Sequence, residues 1–229
     1  DYWSYMPKTK ALFTDTFLNG AKINGKLWAL PANKDKAHAY GFVYRQDIAN
    51  KLGIDMSKVK SWNDMALILE KVKKEVPDII PFGSVLNPTD ANDVFERLDG
   101  NGVVYHNDKN DHVVKNIYKT SEYAEMTKLM GDWYKNGYLR KDVATFKGDD
   151  KADGKVFAFA EQLKPGKAEE LNNSFSDKAP KDAKYGQVYL TKPTISTSDT
   201  TGSMMAISQT SKDPARAAMF LEMLNTDPY

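Results

Sequence analysis

The stretch AYGFVYRQDIANKLGI, residues 39–54, points to the fold class because it joins a strand directly to a helix. Apolar and aromatic side chains from Ala39 to Tyr44 predict a buried strand, and the residues that follow predict a helix that Gly53 ends. Strand and helix patterns alternate in the same way along most of the chain. We therefore predict an α/β protein built on parallel or mixed sheets.

Turn and capping residues predict where other elements begin and end. Asn24-Gly25 lies between two apolar-alternating arms and predicts a tight hairpin turn, because both central residues of such a turn need a positive φ. Ser61 predicts the start of a helix with a capping-box pattern, and Asp213 followed by a proline predicts the start of the last helix. The most regular helical pattern runs from residue 120 to residue 136.

Three other segments are assigned from their composition. Residues 8–20 predict one short helix, and residues 94–98 predict another. The stretch FKGDDKADGK, residues 146–155, is polar and charged and is predicted to be a solvated loop. A calcium loop is not expected there, because Lys151 stands where such a loop needs a ligand.

The composition of the whole chain excludes several classes of function. The 229 residues carry 32 basic and 31 acidic side chains, a net charge of +1, and the two signs are interleaved. This leaves no basic face to bind nucleic acid or anionic lipid. No apolar run reaches the roughly 20 residues that span a bilayer. The sequence has no cysteine, which excludes disulfides and thiolate chemistry.

Known catalytic and metal-binding motifs fail on their spacing. Residues 20–26 have the length of a phosphate-binding loop, but Leu27 stands where that loop needs a hydroxyl side chain. The histidines His38, His106 and His112 are not spaced to place two imidazoles on one metal ion. We therefore expect neither a metal nor a cofactor.

Paired carboxylates leave one enzymatic alternative open. A glycosidase needs two carboxyl groups about 5 to 10 Å apart across a cleft. The sequence alone does not place any two acidic side chains at that distance, so a carbohydrate-active hydrolase is the alternative function. Its candidate residues are Asp90, Asp93, Glu96 and Glu161.

Aromatic side chains are the best candidates for contact with a ligand. Trp62 and Trp133 fall on helix faces and are predicted to be core residues. Others lie at or near predicted strand ends, where loops over an α/β sheet form ligand crevices. Such rings beside Asn, Asp and Thr suit a sugar, whose ring faces stack while its hydroxyls need hydrogen-bond partners. Core packing is an equally good interpretation for each of these, which are Trp28, Tyr40, Phe82 and Tyr189.

Five segments, in order along the chain, resemble the extracellular solute-binding proteins of ABC importers, the family that includes maltose-binding protein. The segments are KINGKLWALP (22–31), AYGFVYRQDIANKLGI (39–54), VKSWNDMALILEKVKK (59–74), DGKVFAFAEQ (153–162) and GSMMAISQTSKDPARAAMFLEMLNTDP (202–228). The segments GNGVVY (100–105) and PTISTSDTTGSMMAIS (193–208) resemble the aldouronate-type lipoprotein binders within that family.

The resemblance implies a fold and a division into domains. It implies a type II periplasmic-binding-protein-like α/β fold, in which two lobes are joined by hinge strands and the N-lobe is incomplete in this chain. Residues 1–34 and 197–229 would be pieces of the N-lobe, and residues 35–196 would be a C-lobe. The rest of the N-lobe would lie outside these residues.

The resemblance also implies a binding protein rather than an enzyme. It would capture a solute, expected to be a carbohydrate or oligosaccharide, by closing its two lobes on it. Maltose-type members carry a tryptophan where this chain has Glu161 and Gln162, so the resemblance does not imply maltodextrin as the ligand. A peptide is an alternative ligand class. The expected ligand contacts are Trp28, His38, Tyr40, Asn87, Asp90, Glu161 and Gln162.

The partners and the location follow from the same resemblance. The solute would be delivered to the permease subunits of an ABC transporter. The protein is expected to be a monomer, extracellular or periplasmic, and attached to the membrane only through a lipid anchor on an N-terminal segment outside these residues. No nucleic-acid partner is expected.

Overall fold

The chain divides into two compact units in a computed structural model. Unit 1 comprises Asp1–Ala37 and Ile195–Tyr229, and unit 2 comprises His38–Thr194. Their interpretation as N-lobe pieces and a C-lobe stays a prediction. The residues that the structure describes are 2–33, 37, 39–83, 94–98, 101–105, 113–194 and 201–227.

The described residues form short strands and helices in both units. The strands are β1 (Leu30–Pro31), β2 (Ala39–Arg45), β3 (Ile80–Phe82), β4 (Phe95–Arg97), β5 (Gly102–Tyr105), β6 (Lys115–Asn116), β7 (Val156–Leu163), β8 (Tyr185–Tyr189) and β9 (Met204–Met205). The helices are α1 (Pro7–Ala11), α2 (Asp15–Gly20), α3 (Gln46–Lys51), α4 (Trp62–Glu75), α5 (Ser121–Lys135), α6 (Lys167–Asn172) and α7 (Pro214–Thr226).

Unit 2 is built on a four-stranded mixed sheet with the strand order β3-β7-β2-β8. Strand β2 runs antiparallel to β7 and to β8, and β3 runs parallel to β7. The predicted α/β class with a mixed sheet is confirmed. The predicted strand and helix of residues 39–54 are β2 and α3, and Gly53 follows α3 with a φ of +63°.

Strand β2 lies between two neighbours and needs a glycine to do so. A Cβ on Gly41 would lie 2.1 Å from the carbonyl oxygen of Val188 and 2.6 Å from Cδ1 of Leu163. The first of these atoms is backbone, so it cannot move without disturbing the pairing of β2 with β8. Gly41 therefore allows the close approach of the two strands.

Aromatic rings form the centre of the core on the side of the sheet that α4 and α5 cover. The ring of Phe42 lies 4.9 Å from that of Trp62, and the ring of Phe82 lies 4.9 Å from that of Trp133, measured between centroids. The predicted N-cap is present at the start of α4, where Oγ of Ser61 accepts the N–H of Asp64, while the Asp64 carboxylate accepts the N–H of Lys60 rather than that of Ser61. Trp62 and Trp133 are core residues, as predicted.

A second, three-stranded sheet in unit 2 corrects one prediction. Residues 95–97 are strand β4, not a helix, and β4 pairs with β5. The rings of Phe95 and Tyr105 face each other across this pair with their centroids 4.9 Å apart. The segment is too short to form a stable helix by itself, so pairing with a partner strand determined its structure.

The polar segment 146–155 is not a solvated loop throughout. Asp150 is only 9% exposed, and one of its carboxylate oxygens accepts a hydrogen bond of 2.7 Å from Nη1 of Arg140. The carbonyl of Gly154 accepts a hydrogen bond from the buried guanidinium of Arg45. Composition showed that this segment is polar but not that it bonds to Arg140, ten residues from Asp150, and to Arg45, 109 residues from Gly154.

Unit 1 contains two short helices where the sequence predicted one. Helix α2 starts anew because Oγ1 of Thr14 accepts the N–H of Phe17 and caps it. The predicted turn at Asn24-Gly25 is confirmed, with φ values of +50° and +75°. Strand β1 then pairs with β9 from the other end of the chain.

Candidate functional site

The start of β2 and the ends of β7 and β8 meet at one edge of the unit 2 sheet, where three of the seven predicted ligand contacts lie, namely Tyr40, Glu161 and Gln162. Because β2 is antiparallel to both neighbours, it begins where β7 and β8 end. Strand β3 is parallel to β7 and also ends towards this edge. Loops and strand ends at such an edge are the usual place for ligands in α/β sheets.

Tyr40 and Gln162 are brought together by the register of this edge. They are direct partners on β2 and β7, so their side chains lie on the same face of the sheet. Tyr40 is half-buried and Gln162 is exposed. An aromatic ring beside an amide offers both a stacking surface and a hydrogen-bond donor and acceptor.

Both backbone polar groups of Tyr40, its N–H and its carbonyl, form hydrogen bonds with Thr191. The N–H of Tyr40 donates to Oγ1 of Thr191 at 2.8 Å, and its carbonyl accepts the N–H groups of Leu190 at 2.9 Å and Thr191 at 3.1 Å. These bonds fix the start of β2 against the end of β8. Sequence reasoning missed Thr191, and nothing in its neighbourhood along the chain could have indicated this pairing.

Glu161 lies on the opposite face of the sheet from Tyr40 and Gln162. Its partner on β2 is Gly41, and its carboxylate accepts the N–H of Gln162 at 3.2 Å. A single ligand that touches both Tyr40 and Glu161 would therefore have to lie across the strand ends rather than along one face. Tyr40, Gln162 and Glu161 are thus brought to one edge of the sheet but divided between its two faces.

Tyr189 shares the face of Glu161 and is held in place by Gln187. The ring is 41% exposed, and its hydroxyl accepts a hydrogen bond of 2.8 Å from Nε2 of Gln187. The same Nε2 donates to the carbonyl of Lys164 at 3.1 Å, while Oε1 accepts the N–H of Ala168 at 2.8 Å. Tyr189 is therefore an exposed ring in a fixed orientation.

Phe82 is removed from the set of candidates. It is 1% exposed and lies in the aromatic core, so the core interpretation is confirmed for this ring.

A surface pocket of about 330 Å³ lies beside β8. Its lining includes Tyr44, Met56, Lys60 and Val188. Burial, together with the nearby Asp55 carboxylate, raises the pKa of the Tyr44 hydroxyl.

Trp28 belongs to unit 1 and lines a pocket of that unit. The indole is 63% exposed, and its Nε1 donates to the carbonyl of Ile23 at 3.4 Å. The pocket has a volume of about 280 Å³ and a mostly apolar lining, which suits the stacking of an apolar ring face. Its other lining residues include Tyr2, Trp3, Met6, Leu30, Ile207 and Leu221.

Three predicted ligand contacts and part of the enzymatic alternative lie outside the described residues. His38, Asn87 and Asp90 are among the contacts, and Asp93 is among the carboxylates of the alternative. In the part of the chain that the structure describes, no group of three or more His, Asp or Glu side chains is placed to hold a metal ion.

Comparison with known proteins of similar sequence and structure identifies the fold of this chain. The chain is 29% identical over 217 residues, 93% of its length and 43% of the relative's, to a carbohydrate ABC transporter substrate-binding protein of Streptococcus pneumoniae. Its structure matches the N-glycan transport solute-binding protein NgtS of Streptococcus pneumoniae with a TM-score of 0.83 at 24% identity, over 99% of this chain and 50% of that one. The chain has the fold of the type II periplasmic solute-binding proteins.

This solute-binding fold is the one that the sequence predicted. Maltose-bound MalE3 of T. maritima shares it with a TM-score of 0.60 at 17% identity, over 99% of this chain and 57% of that one. The chain spans about half the length of the relatives that it matches. These relatives are solute-binding proteins and not enzymes. No family model matches the chain.

Proposed function

We propose that this chain is part of the substrate-binding component of an ABC transporter, which captures a carbohydrate outside the membrane and delivers it to the permease. The observation that carries this proposal is the similarity to a carbohydrate ABC transporter substrate-binding protein along 93% of the chain. The shared solute-binding fold supports it independently of the sequence. The permease subunits are the proposed partners.

The proposed ligand is an oligosaccharide. Structures of NgtS hold Man1GlcNAc and Man5GlcNAc, and the second of these matches this chain with a TM-score of 0.73. Oligosaccharides of mannose and N-acetylglucosamine are therefore the first ligands to test. Acidic xylan fragments of the aldouronate type are the second, on the sequence resemblance of residues 100–105 and 193–208.

The proposed contacts use two kinds of chemistry. In unit 2, Tyr40 would stack on an apolar sugar face while the Gln162 amide binds hydroxyls, because the two side chains share a face. In unit 1, Trp28 offers a second stacking surface. The remaining proposed hydrogen-bonding contacts are His38, Asn87, Asp90 and Glu161.

The proposed location is extracellular or periplasmic, and the proposed protein is a monomer. No helix among the described residues is both long and apolar enough to cross a bilayer. A lipid anchor on a segment outside these residues is the proposed membrane attachment. We also propose that unit 1 consists of N-lobe pieces and that unit 2 is a C-lobe.

Calorimetry on the full-length protein tests the proposal. Man5GlcNAc, an aldouronic acid oligosaccharide and an unrelated pentapeptide are titrated separately, and each sugar is recovered afterwards to measure its reducing ends. Saturable binding of a sugar that is recovered unaltered supports the proposal. Binding of the peptide alone would contradict the carbohydrate class. New reducing ends would contradict the transport function and favour the hydrolase.

A further inference from the structure

The hydrogen-bond pattern at the start of β2 is that of a β-bulge. The carbonyl of Tyr40 accepts the N–H groups of two consecutive residues, Leu190 at 2.9 Å and Thr191 at 3.1 Å. In a β-bulge, two residues of one strand oppose a single residue of the other. Leu190 and Thr191 therefore form a bulge opposite Tyr40, directly after the end of β8. Bulges are frequent next to active sites, where they reorient a side chain or end the pairing of two strands.

A side chain completes this bulge at the place of a backbone carbonyl. In an antiparallel ladder, the two residues of a hydrogen-bonded pair exchange both of their N–H···O bonds. Leu190 donates its N–H to Tyr40, so the regular acceptor for the Tyr40 N–H is the Leu190 carbonyl. The Tyr40 N–H donates instead to Oγ1 of Thr191 at 2.8 Å. The Thr191 hydroxyl thus replaces a strand carbonyl at the end of the β2–β8 ladder.

The bulge is anchored to the core of unit 2. The side chain of Leu190 packs against the aromatic core, and Thr191 is half-buried. Gly41, the next residue of β2, allows β8 to approach closely. The backbone of Tyr40 is therefore held against a fixed part of unit 2, and one of its hydrogen bonds depends on a single hydroxyl group.

The backbone of Tyr40 determines where its ring can lie. The direction of a side chain follows from the backbone that carries its Cβ, and the ends of elements open more easily than their centres. Tyr40 is the second residue of β2 and so lies close to such an end. A ring that is already oriented before the sugar arrives binds more tightly, because ordering it on binding costs free energy. The bond to the Thr191 hydroxyl supplies this order.

We propose that Thr191 is a positioning residue for sugar binding, whose hydroxyl holds the backbone of Tyr40 so that its ring is oriented for stacking beside Gln162. This inference rests on the proposed function and on Tyr40 as a ligand contact. Thr191 acts through Tyr40 and does not itself touch the sugar. Its contribution to the affinity therefore does not exceed that of the Tyr40 ring.

Calorimetry on variants of the full-length protein tests the proposal, with Man5GlcNAc and the aldouronic acid oligosaccharide titrated separately. Thr191→Val keeps the shape of the side chain but removes the acceptor of the Tyr40 N–H. We expect sugar binding about three- to tenfold weaker, since the loss of one such hydrogen bond changes an equilibrium by about this factor. Thr191→Ser keeps the hydroxyl and should bind within about twofold of wild type. Wild-type affinity in Thr191→Val would overturn the proposal, as would a Thr191→Ser variant as weak as Thr191→Val.

A double-mutant cycle determines whether Thr191 acts through Tyr40. In the Tyr40→Ala background, Thr191→Val should change the affinity by less than about twofold, because the ring that it positions is absent. An undiminished effect in that background would indicate direct contact of Thr191 with the sugar and would overturn the proposal. Absence of sugar binding by the wild-type protein would refute the proposed function as well. Wild-type binding that Thr191→Val leaves unchanged would refute this inference alone.

Hydrogen exchange of the ligand-free protein gives a readout that needs no sugar. The Tyr40 amide should exchange about three- to tenfold faster in Thr191→Val than in Thr191→Ser, because its N–H has lost its acceptor. The amide of Val43, in the middle of β2, is the matched control and should exchange at the same rate in both variants. Equal exchange of the Tyr40 amide in the two variants would overturn the proposal. Faster exchange of both amides in Thr191→Val would also overturn it, since it would indicate a general loss of structure.

Discussion

The carboxylate of Glu222 caps the N-terminus of α1 from the other end of the chain. Its two oxygens accept the N–H of Lys8 at 2.9 Å and the N–H of Thr9 at 2.8 Å. These are two of the N–H groups that a helix leaves unpaired in its first turn, and a negative charge is favourable there. The two separate chain segments of unit 1 are thus joined at a defined point.

Removing this charge should destabilise unit 1. In Glu222→Gln the side chain keeps its shape but loses the charge, so we expect the Tm to fall by a few degrees at neutral pH. Thermal unfolding followed by circular dichroism measures this. Glu125→Gln changes an exposed glutamate on α5 and should leave the Tm unchanged. Equal effects of the two substitutions would contradict the capping role.

The contribution of Glu222 should depend on pH in a defined direction. Loss of solvation works to raise the pKa of this carboxyl, but the hydrogen bonds from Thr9 and Lys8 outweigh it and the pKa is lowered. Because the folded-state pKa is depressed, the stabilisation is present above the ordinary pKa and is lost as the pH falls through the folded-state value. The Tm difference between wild type and Glu222→Gln should therefore shrink from about pH 7 to about pH 3. A Tm difference that grows as the pH falls would contradict this prediction.

Substitution of Gly41 should disrupt the central sheet of unit 2. The added Cβ of Gly41→Ala would meet the Val188 carbonyl oxygen at 2.1 Å, so β2 and β8 would have to separate. We expect a large fall in Tm or loss of folding. Gly131→Ala is the matched control, because Gly131 lies in α5 with open space around it. That substitution should stabilise the protein by about 0.5 to 1 kcal/mol, measured by urea unfolding.

The aromatic core should be equally sensitive to truncation. Trp133 is 1% exposed and contacts the rings of Trp62 and Phe82. Trp133→Ala should cost about 3 to 5 kcal/mol of unfolding free energy, because it leaves a cavity in a well-packed region. Tyr134→Ala, at the next and partly exposed position of α5, should cost much less. Similar losses at both positions would contradict the assignment of the core.

The face of the sheet that binds the ligand can be determined by two substitutions. If the sugar stacks on Tyr40, Tyr40→Ala should weaken binding about tenfold, since an aromatic contact contributes on the order of 1 kcal/mol. Tyr189→Ala changes an exposed ring on the opposite face and should then leave the affinity unchanged. Calorimetry with the tightest-binding sugar measures both. The opposite result would move the site to the face of Tyr189 and Glu161.

Local signals in the sequence determined much of the fold. The strand and helix of residues 39–54, the cap at Ser61 and the turn at Asn24-Gly25 depend on residues within a few positions of one another. Their energetics are those of neighbouring atoms, so they can be inferred from the chain alone. The helix predicted for residues 94–98 was wrong, because a short segment without a strong local preference takes its structure from its partner strand.

The arrangement of the candidate site was decided by the tertiary structure. The sequence identified Tyr40, Glu161 and Gln162 as individual residues. Only the register of β2 with β7 places Tyr40 opposite Gln162 and puts Glu161 on the other face. A shift of one residue in that register would reverse the faces, and the register depends on the packing of both sheet faces rather than on neighbouring residues. The sequence by itself thus determined the elements and the candidate chemistry, while long-range pairing determined which groups meet.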